Sequence, residues 1–245
     1  MNVWRLIPLI ETSGSIQMAI DEWLLEQHRL GIHPPTLRFY TWHPSAISLG
    51  YHQRQYPEFW KNLTWQGTKL DLVRRPTGGR AVLHQGDLTY AVIISGLQGT
   101  RLQVYEKICE FLILGWKELG LELHYGSAGR GYIHNPNCFG TATGADLVLA
   151  DNSKFIGSAQ LRRGKAILQH GSMRLKQNTT LFSQVFETEV SQQIKLPLLQ
   201  QGNDLIEIIE NTLIAAASSC FNIDLVVQPL SEPEWNLILA EKQLK

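Results

Sequence analysis

Residues 74–84 read Arg-Arg-Pro-Thr-Gly-Gly-Arg-Ala-Val-Leu-His, which places two adjacent glycines between arginines. Adjacent glycines accept positive φ angles and let a ligand approach bare backbone N–H groups, while arginine supplies a fixed charge for a carboxylate or phosphate. The segment is not a Walker loop, because no Gly-Lys-Ser/Thr follows, and its glycine spacing differs from the dinucleotide fingerprint. On its own it predicts either an anion-binding loop or a plain hairpin with solvated arginines.

A second segment, residues 154–160, reads Lys-Phe-Ile-Gly-Ser-Ala-Gln, and Leu-Gln-His-Gly-Ser follows at 168–172. The surrounding pattern predicts a strand, so Lys154 followed by small residues leaves an open groove beside an ammonium group, a suitable place for an acyl carbonyl. A solvated strand lysine would show the same pattern, and Gly157 is equally compatible with a β-bulge. These residues alone leave the alternatives open.

The three cysteines lie in different surroundings. Cys109 falls on the apolar face of a predicted helix and Cys220 follows three alanines, so both are predicted to be small buried hydrophobes. Cys138 lies in a polar loop rich in Gly and Asn, where a nearby lysine would stabilise the nucleophilic thiolate. The alternative is a chance loop cysteine, and His134 is either its base or a solvated side chain. The odd count and wide spacing fit neither a disulfide framework nor a close-spaced zinc site.

Hydrophobic periodicity predicts the elements that position these residues. Apolar residues three and four apart predict helices over 15–30, 102–116 and 205–217, and a capping-box pattern at Ser231 and Glu234 opens a last helix. Strand-like runs between turn residues are predicted at 37–42, 46–51, 69–74, 81–84, 88–95, 121–125, 146–150, 154–162, 165–175 and 223–227. Short polar loops between strands favour antiparallel pairing. We therefore expect an α+β fold, with a mixed, largely antiparallel sheet flanked by helices.

Length and composition exclude several classes of protein. The 245 residues predict one domain, 1–245, in which 200–245 form a helix and strand extension packed on the rest. A chain with 44% hydrophobic and 18% charged residues is not intrinsically disordered. The 22 basic residues balance the 22 acidic ones, so no global field attracts nucleic acid or membrane. Without a signal pattern or an apolar run of about 18 residues, we expect a cytoplasmic protein that binds neither nucleic acid nor membrane.

Taken in order, the motifs of this chain resemble the biotin/lipoate protein ligase superfamily. The resemblance extends to about residue 175. Cys138-Phe139 upstream of Lys-x-x-Gly-Ser-Ala-Gln is similar to the cysteine-dependent octanoyltransferases of the lipoate-protein ligase A family. The other supporting motifs are Asp-Glu-x-Leu-Leu at 21–25, Leu-Arg-Phe-Tyr-x-Trp at 37–42, Ser-Leu-Gly-Tyr-x-Gln at 48–53, Leu-Thr-Tyr at 88–90 and the segments at 74–84 and 168–172.

The resemblance implies a biotin/lipoate protein ligase (class II synthetase-like) catalytic domain that transfers an octanoyl group. The donor would be octanoyl-acyl carrier protein, and the acceptor a lysine of a lipoyl domain or of the glycine cleavage H protein. Cys138 would form a thioester, with Lys154 beside it stabilising the thiolate and holding the carbonyl. No metal or cofactor would be required. The implied substrate-binding residues are Arg75, Thr77, Gly78, Gly79, Arg80, His84, Gly157, Ser158, Ala159 and Gln160.

Three alternatives differ in their chemistry. An ATP-dependent lipoate-protein ligase would use ATP and Mg to form an acyl-adenylate, with Lys154 and the arginines on phosphate and Cys138 incidental. A relay transferase would move a lipoyl or octanoyl group between two lipoyl-type proteins, and a non-catalytic module would only bind the acyl group. One position departs from the family, which usually carries Asp after the motif histidine. This chain has Gln85 there, which affects the hydrogen bonding expected around His84 more than the reaction.

Overall fold

The computed structural model of the chain describes residues 2–126, 146–188 and 205–243. Its helices are α1 (Gly14–Arg29), α2 (Arg101–Glu118), α3 (Thr179–Phe186), α4 (Leu205–Phe221) and α5 (Glu232–Gln243), with a 3-10 turn at Glu58–Asn62. Its strands are β1 (Asn2–Thr12), β2 (Thr36–Trp42), β3 (Ala46–Leu49), β4 (Thr64–Trp65), β5 (Thr68–Lys69), β6 (Asp71–Arg74), β7 (Val82–His84), β8 (Asp87–Ser95), β9 (His124–Tyr125), β10 (Leu147–Val148), β11 (Lys154–Arg163), β12 (Ala166–Arg174) and β13 (Ile223–Val227).

The largest sheet has eight strands in the order β13-β1-β2-β8-β12-β11-β10-β9. Strand β1 is parallel to both of its neighbours, β13 and β2, and all the other neighbouring pairs, from β2–β8 to β10–β9, are antiparallel. The predicted mixed, largely antiparallel sheet is therefore confirmed. A smaller sheet, β6-β3-β7, combines one parallel and one antiparallel pair, and β4 pairs with β5.

Helices cover both faces of the large sheet. They do so because successive side chains of a strand point to opposite faces, and the central strands carry apolar side chains on both. On β8, Tyr90 and Val92 pack into the core beneath α2 and α4, whereas Ala91 and Ile93 pack toward α1 and α5. A third core lies under the small sheet, where α3 contributes Leu181. These layers leave the strand ends of the two sheets facing each other beside α1.

The C-terminal elements pack on the first ones. Strand β13 pairs with β1, α4 packs on α2 and α5 packs on α1. Arg5 on β1 has a fully buried side chain, and its guanidinium donates to both carboxylate oxygens of Glu234 on α5, at 2.7 and 3.0 Å. It also donates to the carbonyl oxygens of Gln228 and Pro229. A buried guanidinium thus joins the first strand to the last helix.

Strand β1, helix α3, the two-residue strand β4 and the 3-10 turn were not predicted. Strand β1 has a continuous buried run followed by Pro8, which interrupts the alternation expected of a strand, and its pairing with β2 shifts register between Ile7 and Ile10. Helix α3 is too short for a clear period, and its local signal is the cap at Asn178, whose side chain accepts from the backbone N–H of Leu181. Elsewhere, the strand predicted at 121–125 is confined to β9, and β3 belongs to a different sheet from β2.

Candidate active site

A cavity lies between α1, the large sheet and the small sheet, with about 440 Å³ of empty space including the part open to solvent. Its apolar wall comes from Met18 on α1 and from Tyr40 and Trp42 on β2. Strand β11 and the loop before β7 form the opposite walls. Six of the predicted substrate-binding residues line this cavity: Arg75, Gly79, His84, Gly157, Ser158 and Ala159. Apolar walls with a few polar groups suit a ligand that carries an alkyl chain.

Arg75 holds the glycine loop in place. Its guanidinium donates to three backbone carbonyl oxygens, those of Ser48 at 2.9 Å, Gly78 at 2.8 Å and Arg80 at 2.7 Å. Gly79 has a φ of +100°, a conformation that favours glycine. The loop therefore keeps one shape because an arginine side chain binds the backbone that glycine leaves accessible.

Close backbone packing also requires glycine at position 50. A Cβ atom built on Gly50 would lie 1.8 Å from the carbonyl oxygen of Gly79. No side chain can fit in that space without displacing the loop. Gly50 belongs to the Ser-Leu-Gly-Tyr motif, and this position requires glycine for a steric reason.

The floor of the cavity contains a buried histidine, His170 on β12. Its Nδ1 lies 2.7 Å from Asp21 Oδ2, and its Nε2 lies 2.7 Å from Thr77 Oγ1. Because a carboxylate only accepts hydrogen bonds, Nδ1 donates to Asp21, and Nε2 shares the second hydrogen bond with the Thr77 hydroxyl. Asp21 also accepts from the Tyr40 hydroxyl at 3.0 Å and pairs with Arg38 at 3.2 Å. This network joins α1, β2, β12 and the glycine loop.

A second buried histidine, His84, lies at the end of β7. Its Nδ1 is 2.8 Å from Asp87 Oδ2, and its Nε2 is 2.8 Å from Ser48 Oγ. Burial lowers the pKa of His84, although Asp87 acts in the opposite direction, so the ring is neutral at pH 7. The ring stacks on Trp42, with ring centroids 3.7 Å apart. The Ser48 hydroxyl therefore donates to Nε2, while the Nδ1 proton goes to Asp87.

Gln85 follows His84 at the position where the family usually carries Asp. The carboxylate beside His84 is that of Asp87, which lies two positions after Gln85 and three after His84. The Gln85 side chain instead accepts a hydrogen bond from the backbone N–H of Asn178 at 2.9 Å, immediately before α3. The effect of Gln85 on the reaction stays a prediction; in this chain the carboxylate that contacts His84 is that of Asp87.

Lys154 opens β11, three residues before Gly157 in the cavity wall. Its Nζ lies 2.9 Å from Asp146 Oδ1, and the two side chains are only 3% and 5% exposed. A lysine this deeply buried requires an anionic partner. The predicted nucleophile Cys138 and the candidate base His134 lie outside the described residues.

The other four predicted substrate-binding residues lie behind the cavity. Thr77 bonds to His170, and the carbonyl oxygens of Gly78 and Arg80 accept from Arg75. The amide of Gln160 bonds to Gln169 on β12. Their contact with substrate stays a prediction. Thr77, Gly78 and Arg80 bond to residues that line the cavity, whereas the partner of Gln160 does not line it.

Several polar residues at the site were not singled out from the sequence. Asp21, Ser48 and His170 belong to motifs that carried the family resemblance, so their segments were visible but their roles were not. Asp87 and Asp146 had no such signal, because the sequence does not show which carboxylate pairs with a buried His or Lys. Over residues 2–126, 146–188 and 205–243, no group of three or more His, Cys, Asp or Glu side chains could hold a metal ion, and no helix is long and apolar enough to cross a membrane.

The fold and this site define a lipoyl protein ligase type of catalytic domain. The sequence profile of the Lipoyl protein ligase A/B catalytic domain matches residues 13–197, and the chain belongs to this family. It is 39% identical to Octanoyltransferase LipM of Kyrpidia tusciae, over 71% of this chain and 67% of that one. It is 33% identical to Octanoyltransferase LipM of Carboxydothermus hydrogenoformans, over 99% and 96%. A T. acidophilum protein solved with bound lipoic acid is 25% identical and superposes with a TM-score of 0.78, covering 100% and 96% of the two chains.

Proposed function

We propose that this protein is an octanoyltransferase of lipoate biosynthesis, moving an octanoyl group from octanoyl-acyl carrier protein to a lysine of a lipoyl domain or glycine cleavage H protein. Relatives named octanoyltransferases, 33% and 39% identical to this chain, support the reaction class. The structural observation that carries the proposal is the apolar cavity whose wall, Gly157-Ser158-Ala159, continues the strand that Lys154 opens. The apolar walls suit an alkyl chain, and Lys154, which is paired with the buried Asp146, opens the strand that forms this wall.

The reaction proceeds in two transfers. The Cys138 thiolate attacks the donor thioester and forms an enzyme thioester, and the pantetheine thiol leaves. The neutral amine of the acceptor lysine then attacks this thioester: the C–N bond forms, the C–S bond breaks and returns its electron pair to the Cys138 sulfur as thiolate, and the proton lost by the amine passes to solvent. The first step exchanges one thioester for another and the second is downhill, so no ATP is consumed. The role of Cys138 rests on the Cys-Phe motif, since this residue lies outside the described residues.

The Lys154–Asp146 pair provides a positioned positive charge for this chemistry. A lysine ammonium next to the reacting thiol favours the thiolate and polarises the acyl carbonyl. Asp146 fixes the ammonium at 2.9 Å within a nearly solvent-free environment, where electrostatic interactions are stronger than in water. Asp146 therefore orients the lysine and neutralises it while no substrate is bound.

The apolar wall supplies binding energy for orientation. Met18, Tyr40 and Trp42 enclose one side of the cavity. Burial of an alkyl chain contributes about 0.8 kcal/mol per methylene, so an octanoyl chain gains several kcal/mol for holding its carbonyl in place. The same free energy is not available to an acetyl group, which predicts selectivity for medium-length chains.

The decisive experiment is the intact mass of the protein after incubation with octanoyl-acyl carrier protein without ATP. Wild type should acquire one hydroxylamine-labile octanoyl group, and Cys138→Ala should acquire none, whereas Cys220→Ala, a matched cysteine control, should behave as wild type. Addition of a lipoyl domain should then transfer the group to a lysine of that domain.

Other outcomes would contradict the proposal in distinct ways. Acylation of a lipoyl domain only with free lipoate and ATP would indicate a ligase. Transfer from one octanoylated lipoyl-type protein to another, but not from acyl carrier protein, would indicate a relay. Binding of octanoate without turnover under any of these conditions would indicate a non-catalytic module.

A further inference from the structure

Four residues in register form a row across the large sheet, on the face that α1 covers. Gly157 on β11 pairs with Ser172 on β12, Ser172 with Thr89 on β8, and Thr89 with Tyr40 on β2, and all four line the cavity. Residues paired directly across strands point to the same face, and Tyr40 packs toward α1. Because neighbouring strands lie about 4.8 Å apart, the row spans about 14 Å. An acyl chain whose carbonyl end lies at β11, the strand that Lys154 opens, would follow this row toward β2.

The polar side chains of this row direct their hydrogens away from the cavity. Ser172 Oγ donates to Asp87 Oδ2 at 2.6 Å, and Thr89 Oγ1 donates to the same oxygen at 3.3 Å. His84, which lines the cavity beside them, has its Nδ1 2.8 Å from that oxygen. A carboxylate only accepts hydrogen bonds, so a single oxygen of Asp87 collects hydrogens from three side chains of the cavity wall. Asp87 is itself buried behind that wall.

The aromatic side chains of the wall also donate within the protein. Trp42 Nε1 donates to Thr89 Oγ1 at 2.8 Å, and the Tyr40 hydroxyl donates to Asp21 Oδ2 at 3.0 Å. His170 donates through Nδ1 to the same Asp21 oxygen at 2.7 Å, and its Nε2 bonds to the threonine hydroxyl of the glycine loop. A second buried carboxylate thus holds hydrogens that would otherwise be available to a ligand.

Arg75 brings a guanidinium to the wall, and its five N–H groups are bonded within the protein. Nε and Nη2 donate to the carbonyl oxygen of Gly78, and Nη2 also donates to that of Arg80. Nη1 donates to the carbonyl and hydroxyl oxygens of Ser48. The Ser48 hydroxyl in turn donates to His84 Nε2 at 2.8 Å.

These contacts account for the side-chain donors that the described residues place along the row. Ser158 does not add one, because its hydroxyl lies with Tyr90 on the α2 face of the sheet. An oxo group buried here would therefore keep its oxygen without a donor, whereas a plain alkyl chain needs none. The wall hydroxyls could turn to such a group only by leaving a carboxylate, to which hydrogen bonds are about twice as strong as those between neutral groups.

We propose that Asp87 is a specificity-determining residue, which makes the cavity selective for unsubstituted alkyl chains over chains of equal length that carry an oxo group. It acts by withdrawing the hydrogens of Ser172, Thr89 and His84 from the ligand. The inference rests on the proposed function and narrows its donor substrate to a fully reduced acyl chain. No bond to Asp87 forms or breaks during the reaction, because its carboxylate contacts the wall and not the chain.

Two donors of equal length measure this selectivity. Octanoyl- and 6-oxooctanoyl-acyl carrier protein differ by one carbonyl group, which lies too far from the thioester to change its reactivity. With a lipoyl domain as acceptor, wild type should prefer the octanoyl donor about 10- to 100-fold in kcat/KM, because one buried carbonyl lacks a donor. Equal kcat/KM values for the two donors would overturn the inference.

Thr89→Val tests whether the withdrawn hydrogens cause the selectivity. Valine keeps the side-chain shape but removes the acceptor of the Trp42 Nε1 hydrogen, so this donor becomes available to a ligand. The preference should fall to about threefold or less, since the oxo group gains a donor and the octanoyl chain leaves that donor unsatisfied. Thr89→Ser, which retains the hydroxyl, is the matched control and should keep the wild-type preference. An unchanged preference in Thr89→Val would contradict the proposal.

Ser172→Ala and Asp87→Leu separate a donor from its acceptor. Ser172→Ala removes a hydrogen that is directed to Asp87, so it should leave the preference as in wild type. Asp87→Leu releases all three donors and should lower the preference at least as far as Thr89→Val. A loss in Ser172→Ala equal to that in Thr89→Val would show that the wall hydroxyls already serve the ligand, against the proposal. Thr89→Val removes no charged group, so the test does not depend on the folding of Asp87→Leu.

Binding measurements keep this inference apart from the proposed function. Calorimetry with octanoate and 6-oxooctanoate gives the preference as a ratio of Kd values, without turnover. A protein that transfers no octanoyl group but shows the effect of Thr89→Val on this ratio would refute the proposed function alone. A protein that transfers octanoyl groups with the same preference in wild type and in Thr89→Val would refute only the role of Asp87.

Discussion

Thr77 Oγ1 and His170 Nε2 lie 2.7 Å apart and join the glycine loop to β12, although 93 residues separate them in the chain. His170 is held in turn by Asp21 at 2.7 Å, so the loop is attached through one imidazole to helix α1. All three side chains are buried. This hydrogen bond adds to those of Arg75 in holding the loop at the cavity, and its removal leaves a buried ring nitrogen without its partner.

Thr77→Val should weaken this attachment without changing side-chain shape. The variant should lose about 1 to 3 kcal/mol of unfolding free energy, because His170 Nε2 stays buried and unsatisfied. Activity should fall, mainly through KM, since a displaced loop widens the cavity. Urea unfolding and octanoyl-transfer kinetics measure the two effects. Thr77→Ser, which keeps the hydroxyl, should restore both, and a Thr77→Ser as impaired as Thr77→Val would show that the hydroxyl is not responsible.

Asp87 and Gln85 should differ sharply when substituted. Asp87→Asn should lose at least tenfold in kcat/KM, because the carboxylate that orients His84 and accepts from Ser172 at 2.6 Å is lost. Gln85→Ala removes only the hydrogen bond to the backbone of Asn178 and should cost about 1 kcal/mol of stability with little effect on turnover. Steady-state kinetics of both variants measure these effects. A larger loss of kcat/KM in Gln85→Ala than in Asp87→Asn would contradict the prediction.

The stability of the protein should fall below about pH 6.5 in part because of His84. Burial lowers the folded-state pKa of His84 below that of an unfolded histidine, about 6.5. The unfolded chain therefore binds the proton first, and the free energy of unfolding falls as pH drops through this range. Melting temperatures at pH 7.5 and 5.5 should differ more in wild type than in His84→Gln. Parallel changes in the two proteins would rule out this contribution.

The Lys154–Asp146 pair should show separate contributions to stability and activity. Asp146→Ala should lose about 3 to 5 kcal/mol of unfolding free energy, because it removes the carboxylate paired with a lysine that is only 3% exposed. The double variant Lys154→Met with Asp146→Leu should recover much of that stability and still form no octanoyl-enzyme. Calorimetry with intact-mass acylation measures both, and an active double variant would exclude Lys154 from the reaction.

Gly50 and Gly78 offer a steric comparison within one site. Gly50→Ala should destabilise the fold by more than about 2 kcal/mol, because the new methyl group would lie 1.8 Å from the carbonyl oxygen of Gly79. A Cβ on Gly78 would meet nothing within 4 Å, so Gly78→Ala should unfold within about 0.5 kcal/mol of wild type. A raised KM in Gly78→Ala alone would then indicate contact with substrate. Equal stability losses in the two variants would contradict the packing described.

Much of the fold could be predicted from the sequence where local patterns are strong. The spacing of apolar residues in α1, α2, β8 and β11 arises because each element packs against one or two neighbouring layers. This spacing can be recognised within the segment itself. Strand β1 was not predicted, because a continuous buried run followed by Pro8 does not show the alternation of apolar and polar residues expected of a strand. Its parallel pairing with β2 and β13 depends on residues at both ends of the chain, and no local pattern encodes that choice.

Only the site residues that belong to recognisable sequence motifs could be predicted. The glycine loop and the Lys-x-x-Gly-Ser-Ala-Gln strand were visible because their residue types are unusual for a hairpin and a strand. Asp87 and Asp146 were not, because pairing with His84 or Lys154 is decided by three-dimensional proximity.

Arg5 and Glu234 also set an order of events during synthesis on the ribosome. The guanidinium of Arg5 is fully buried in the finished protein and is bound there by groups at positions 228, 229 and 234. Until those residues emerge, β1 carries an uncompensated charge and lacks β13 as a neighbour, so it cannot settle permanently into the sheet. We therefore expect β1 to be completed only when Glu234 is available, and a chain truncated before Glu234 should leave β1 sensitive to protease.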